Sequence, residues 1–134
     1  MPVTPPQHRQ ESAPSKVLAH LAAEAALSKK AEAVVVMNIG SVSTVADFFV
    51  LCTGASDNQI RAIQESIEKR LHEEVREKPW HREGQEHRQW VCLDYVDVVI
   101  HIFSPELRAF YDLERLWNDA PCELVTGEAE EVVQ

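Results

Sequence analysis

Five aliphatic side chains, Ile60, Ile63, Ile67, Leu71 and Val75, recur at spacings of 3, 4, 4 and 4. They form one stripe down the side of a helix, and such a helix needs an apolar surface of matching length to lie on. Arg61, Glu65, Glu68, Lys69 and Arg70 fall off the stripe, toward water. The helix has a marked start: Gly54 breaks the chain, Ser56 offers a capping hydroxyl, and Gln59 stands three positions later in capping-box spacing. Pro79 is placed to end it.

The required surface comes from short apolar runs on either side. Ala33 to Asn38 (AVVVMN) and Phe48 to Thr53 (FFVLCT) are too short for globular helices and rich in strand formers. Both are apolar at successive positions, as interior strands of a covered sheet are. Trp90 to Leu93 and Val98 to Phe103 read as two more strands. The connection Asp94-Tyr95-Val96-Asp97 is short enough to favour an antiparallel hairpin. The polar segment Trp80 to Gln89 reads as a loop or a hairpin arm, and Ile39 to Ala46 as a loop.

Two further helices complete the pattern. Val17, Leu18, Leu21 and Ala25 recur at helical spacing between Ser15 and Lys30. Ser104-Pro105-Glu106 is a helix start, with Ser at the N-cap, Pro at the first turn and Glu near the positive dipole end. Leu107, Phe110, Tyr111, Leu113, Leu116 and Trp117 dominate the helix predicted from there to Pro121. The order helix, strand, strand, helix, strand, strand, helix predicts an α/β fold: a single mixed sheet with helices packed mainly on one face. Residues 1 to 14, with four of the seven prolines, read as a disordered arm. Residues 15 to 125 form the domain, and 126 to 134 form a loose acidic tail.

Several function classes recede on composition. No apolar run approaches the roughly 18 residues of a membrane span, and the N-terminus lacks the apolar core of a secretory signal. A cytoplasmic protein is expected. Cys52, Cys92 and Cys122 are odd in number, widely spaced and without a CxxC pair, so neither a disulfide framework nor a zinc site is expected. His81 and His87, six apart in a loop, have no metal spacing. The net charge of −9, from 13 basic and 22 acidic residues, opposes a phosphate backbone and suits a basic protein surface.

One constellation resembles catalytic machinery. A Gly54-Ala55-Ser56 turn before a helix could hold a phosphate, and Asp94 with Asp97 beside a strand could hold magnesium. Carboxylates that share a metal from one strand sit at i and i+2, where they point to the same face. Asp94 and Asp97 are three apart, so a helix cap and a hairpin turn is the better reading, with no catalytic residue, metal or cofactor expected. Aromatics crowd the C-terminal half, and core is the expected place for Phe110 and Leu113. For Trp90, at a strand edge beside Arg88 and Asp94, core and interface anchor stay equally open. His101 interrupts an apolar strand, which suits a hydrogen-bonded, semi-buried ring better than a contact.

The string WVCLDYVDVVIHIFSPELRAFYDLERLW, residues 90 to 117, closely resembles the ribosomal silencing factors, the Iojap-like family. That family shows a Trp, an apolar triplet, Asp-x-Gly-Asp, an apolar strand ending in His-x-Phe/Met, then Arg, Tyr, Leu-Glu and Leu-Trp. Trp90, Asp94, Asp97, His101, Phe103, Arg108, Tyr111, Leu113, Glu114, Leu116 and Trp117 occupy those places. Asp47 with FFVLCTGAS, and Glu83-Gly84, match upstream, so the likeness covers roughly residues 16 to 118. Val96 replaces the turn glycine and Ala46 a threonine; Val96 is expected to alter the turn type, because a β-branched residue resists positive φ.

The resemblance implies a nucleotidyltransferase-like fold lacking catalytic carboxylates, in a protein that is not an enzyme. It implies binding to the large ribosomal subunit through its protein numbered fourteen, at the face that meets the small subunit. Subunit joining would be blocked and translation lowered when nutrients are short. It further implies a homodimer when free; the acidic charge argues for little or no direct nucleic-acid binding, and the lack of a long apolar run for no membrane association. The partner-binding residues expected are Trp90, Asp94, Tyr95, His101, Phe103, Arg108, Tyr111, Glu114 and Trp117. Large-subunit assembly and a residual nucleotidyltransferase activity are the alternatives.

Overall fold

Residues 13 to 127 are described by the computed structural model, in the order α1 (Ala13–Ser28), β1 (Glu32–Asn38), a 3-10 turn (Ile39–Ser41), β2 (Phe48–Thr53), α2 (Asp57–Val75), β3 (His81–Glu83), β4 (Trp90–Asp94), β5 (Val98–Phe103), α3 (Pro105–Tyr111), α4 (Leu113–Leu116) and β6 (Cys122–Leu124). The parts of the arm and tail at residues 1 to 12 and 128 to 134 lie outside the described residues. The strands make one six-stranded sheet in the order β3-β4-β5-β2-β1-β6. Its pairings are antiparallel except β2 with β5, which run parallel, so the sheet is mixed as expected.

The parallel pair follows from the chain path. β2 leaves the sheet at Gly54, α2 crosses over it, and β3 and β4 lead back to β5 at the side of β2. Gly54 is required at the first corner, because a Cβ there would lie 2.8 Å from Ile60 Cγ1. The α2 stripe then buries Ile60, Ile63, Ile67 and Leu71, with Val75 partly covered. Ser56 caps the helix by accepting from the Gln59 N–H at 3.1 Å. The Gln59 carboxamide reaches one residue further back than a capping box requires, accepting from the Ala55 N–H, and also donates to the Lys29 and Lys30 carbonyls. The start of α2 is thereby tied to the end of α1. The end of α2 comes before Pro79, at Arg76 in a left-handed cap.

Strand alternation divides the core in two. Val34, Val36, Phe48, Val50, Cys52, Val91, Leu93, Val98, Ile100 and Ile102 face α1 and α2. The alanines of α1, Ala19, Ala22, Ala23 and Ala26, lie against that face with no exposure above 1%; their small side chains let the helix approach closely. Val17, placed on this face by its spacing, instead points outward and is 53% exposed. Val35, Met37, Phe49, Leu51 and Phe103 face the other way, where only Leu107, Leu113, Trp117, Ala120 and a few neighbours cover them. The helices are thus mainly on one face, and the second face is capped at one end.

Four expectations need correction. The single helix after Ser104 is two, because Asp112 adopts φ 48° and ψ 56° and breaks it. On a straight helix Leu107 and Leu113 would sit roughly 120° apart at about 100° per residue, and the break turns both onto the sheet. Phe110, expected in the core, is 75% exposed as a result. The short edge strand β6 was not anticipated, whereas β3 realises the hairpin-arm reading of Trp80 to Gln89 by pairing with β4. Val96 does not change the turn away from positive φ: it holds φ 75°, with the Asp97 N–H donating to the Tyr95 carbonyl across it. That is the rare and strained γ-turn geometry.

Candidate partner-docking face

Trp90, Cys92 and Asp94 of β4 lie opposite Phe103, His101 and Val99 of β5, on the face away from α1 and α2. Gly84, at φ 85°, brings β3 in beside the Trp90 carbonyl, where any Cβ would collide with that oxygen. Trp90 is half-buried, stacked on Phe103 at 5.0 Å between ring centroids and tilted against Tyr111 at 4.7 Å. Its indole Nε1–H donates to His101 Nδ1 at 3.1 Å. His101 meets Phe49 edge-on at 5.0 Å, and Phe49 meets Trp117 edge-on at 5.8 Å. The rings therefore continue across β4, β5 and β2 and up to the end of α4. Phe110 packs edge-on against Tyr111 and is open to water, and Leu116 of α4 is likewise exposed, at 69%.

The helical cap is fixed by charge. Arg108 donates through Nε and Nη2 to the two Glu114 carboxylate oxygens, at 3.2 and 2.7 Å, and through Nη1 to Thr53 Oγ1 at 3.0 Å. This fork joins α3, α4 and the end of β2, with the Arg108 side chain only 12% exposed. It holds α4 across the break at Asp112.

His101 is buried, and burial pushes its pKa down to about 4, so the ring is neutral at physiological pH. Accepting at Nδ1 fixes its proton on Nε2, which has no partner among the described residues. The Cys92 thiol is pushed up to about 11 by burial, with Asp94 and Glu83 adding to the effect. It is therefore a protonated thiol rather than a nucleophile. Asp94 caps the hairpin turn, its Oδ1 accepting from the Val96 N–H at 2.8 Å. Among the described residues no three His, Cys, Asp or Glu side chains gather as a metal site would need. Such a face suits non-covalent contact: aromatic anchors, an apolar rim and fixed charges.

Of the nine residues expected to bind a partner, the structure gathers Trp90, His101, Phe103, Tyr111 and Trp117 into one cluster, with Arg108 and Glu114 bracing it. Asp94 shares the face at the far end of β4. Tyr95 does not: it is buried in the core beneath α2. Phe103 and His101 are themselves buried, at 1% and 7%, so the surface of the cluster is made by Trp90 and Tyr111. Phe49, at its centre, was absent from the sequence reading, although alternation in FFVLCT would have placed one of its two phenylalanines here.

The family model described as ribosomal silencing factor during starvation matches residues 10–134. A ribosomal silencing factor of Halalkalibacterium halodurans is 44% identical over 104 residues, covering 78% of this chain and 88% of that one. A crystal structure of a Bacillus halodurans protein superimposes with a TM-score of 0.70 at 38% identity, covering 82% of this chain and 99% of that one. A mouse protein named for mitochondrial assembly of the ribosomal large subunit is 35% identical over 74 residues, covering 54% of this chain and 32% of its own. The fold is that of a mixed α/β protein, and the chain belongs to the ribosomal silencing factor family.

Proposed function

We propose that this chain binds the large ribosomal subunit at its subunit-joining face, through the large-subunit protein numbered fourteen. By occupying that face it blocks the small subunit and represses translation under nutrient limitation. The observation that carries this reading is the half-buried Trp90 in a ring cluster whose outer members, Tyr111 and Phe110, are open to water. An uncovered apolar patch rimmed by charge marks a protein contact more often than a solvated surface. The contact set is Trp90, Tyr111, Glu114 and Trp117, with His101, Phe103 and Arg108 supporting them from below; Tyr95, in the core, and Asp94, the turn cap at the far end of β4, are left out. A net charge of −9 favours a basic ribosomal protein over RNA.

The same reading takes residues 15 to 125 as the functional unit, acting in the cytoplasm, with a homodimer as the free form. The framework is read as nucleotidyltransferase-like without the chemistry. In support, Asp94 is occupied as a turn cap, and Ser56 as a helix cap. No helix among the described residues is long and apolar enough to cross a membrane. A second reading, large-subunit assembly, is favoured by the name of the mouse relative.

Sedimentation of separated ribosomal subunits with the full chain tests these readings. Blocking predicts co-migration with the large subunit and fewer joined ribosomes from mature subunits. An assembly role alone predicts binding to immature particles with joining unaffected. Magnesium-dependent nucleotide turnover abolished by Asp94→Asn would overturn the non-catalytic reading.

A further inference from the structure

Trp90 can be an anchor only if its ring is held in one place, and a half-buried indole on an open sheet face has few walls. Phe103 supports it from below and Tyr111 from one side. Neither contact is directional enough to choose between the two χ2 orientations that present either ring face, whereas a hydrogen bond from Nε1 is. The single one described for the indole is Nε1–H to His101 Nδ1, at 3.1 Å. His101 is in turn fixed by its strand and by Phe49 edge-on at 5.0 Å. We propose that His101 is a positioning residue for the docking face: as a neutral acceptor it sets the orientation of Trp90, and through it the shape that the partner meets. This rests on the reading of that face as the ribosome-binding surface.

The surroundings keep the ring neutral. Cys92 stands directly across on β4, a thiol that stays protonated, with Asp94 two residues further along the same face. β2 contributes Phe49, Leu51 and Thr53. α3 and α4 contribute Tyr111 and the Arg108–Glu114 pair, whose charges are spent on each other. Among the described residues no carboxylate is bonded to the imidazole to hold a second proton, and burial disfavours one. Protonating Nδ1 would remove the acceptor and release the indole N–H.

Two variants separate position from packing. His101→Phe keeps a ring of similar size and deletes the acceptor; His101→Asn keeps an oxygen close to where Nδ1 stood. In 15N-labelled full chain, the three indole resonances are assigned by Trp→Phe changes at Trp80, Trp90 and Trp117. We expect a scalar coupling across the hydrogen bond between Trp90 Nε1 and His101 Nδ1, and His101 in the Nε2–H form. The Trp90 indole signal should hold constant from pH 8 to pH 5 and move only with protonation of His101. For isolated large subunits, His101→Phe should lose roughly tenfold in affinity, the usual worth of one directed hydrogen bond. His101→Asn should recover most of it. A His101 protonated on Nδ1, or wild-type affinity in His101→Phe, would overturn the positioning role and leave the docking reading standing. Failure of the wild-type chain to bind large subunits would instead sink the docking reading, while the free-protein spectra still decide the hydrogen bond.

Discussion

Val96 holds φ 75° in a three-residue turn between β4 and β5, on a β-branched side chain that is 52% exposed and gains little from packing. A left-handed conformation costs a non-glycine residue roughly 1–2 kcal/mol, more for a branched one. Val96→Gly should therefore raise stability by about 1 kcal/mol after the entropic cost of glycine, read as a higher urea midpoint at unchanged slope. The sequence suggested that valine would force another turn type. Valine holds positive φ all the same, in a turn framed by the strands on either side and the Asp94 cap. His101 carries a second effect at this scale. Its folded pKa of about 4 lies below the ordinary 6.5, so the unfolded chain takes up the proton first. The stability this neutral ring permits is whole above about pH 6.5 and falls as pH drops toward 4, by about 2 kcal/mol between pH 7 and 5. Urea melts should show His101→Phe losing less over that interval than the wild type; equal losses would place the proton uptake elsewhere.

At the scale of elements, α2 shows what local signals can decide. Stripe and cap both pointed to one helix, and both are seen, down to the Ser56 hydroxyl on the Gln59 N–H, although the helix stops at the Arg76 left-handed cap before Pro79 is reached. Ser56→Ala should lower stability by about 1 kcal/mol, the usual loss of an N-cap; an unchanged denaturation midpoint would mean that the Gln59 bonds alone secure the helix start. β1 and β2 were legible for a similar reason, since continuous apolar runs are forced inside. β6 was not, and β3 only as one of two readings of its segment, because three exposed residues carry no pattern of their own. They are strands by virtue of pairing with β4 and β1. The break at Asp112 was equally hidden: Tyr111 to Leu113 contains neither glycine nor proline, and the Arg108–Glu114 fork that stabilises the bent form is a tertiary contact. Wherever the neighbours decide, the sequence was silent.

For the whole molecule, the site was half legible. Trp90, Tyr111 and Trp117 were singled out as residues, but their assembly depends on strand register and on the helix break, neither of which a residue string displays. Tyr95 was misplaced by one step of alternation, which sends it into the core beneath α2. On the proposed docking to a basic protein, a net charge of −9 predicts slower association as salt rises, with charge steering the encounter and the aromatic face holding the complex. The most direct measurement is affinity for isolated large subunits of three variants: Trp90→Ala, Phe110→Ala and Trp80→Ala. Trp80 is 78% exposed but lies at the opposite end of β4, where its N–H meets the Asp94 carbonyl, and so serves as the control. Trp90→Ala should weaken binding by about 2 kcal/mol or more, the range of a hot spot. Phe110→Ala should weaken it with its urea midpoint unchanged, and Trp80→Ala should bind like the wild type. Wild-type affinity in Trp90→Ala and Phe110→Ala, or a loss confined to Trp80→Ala, would contradict the assignment of this face.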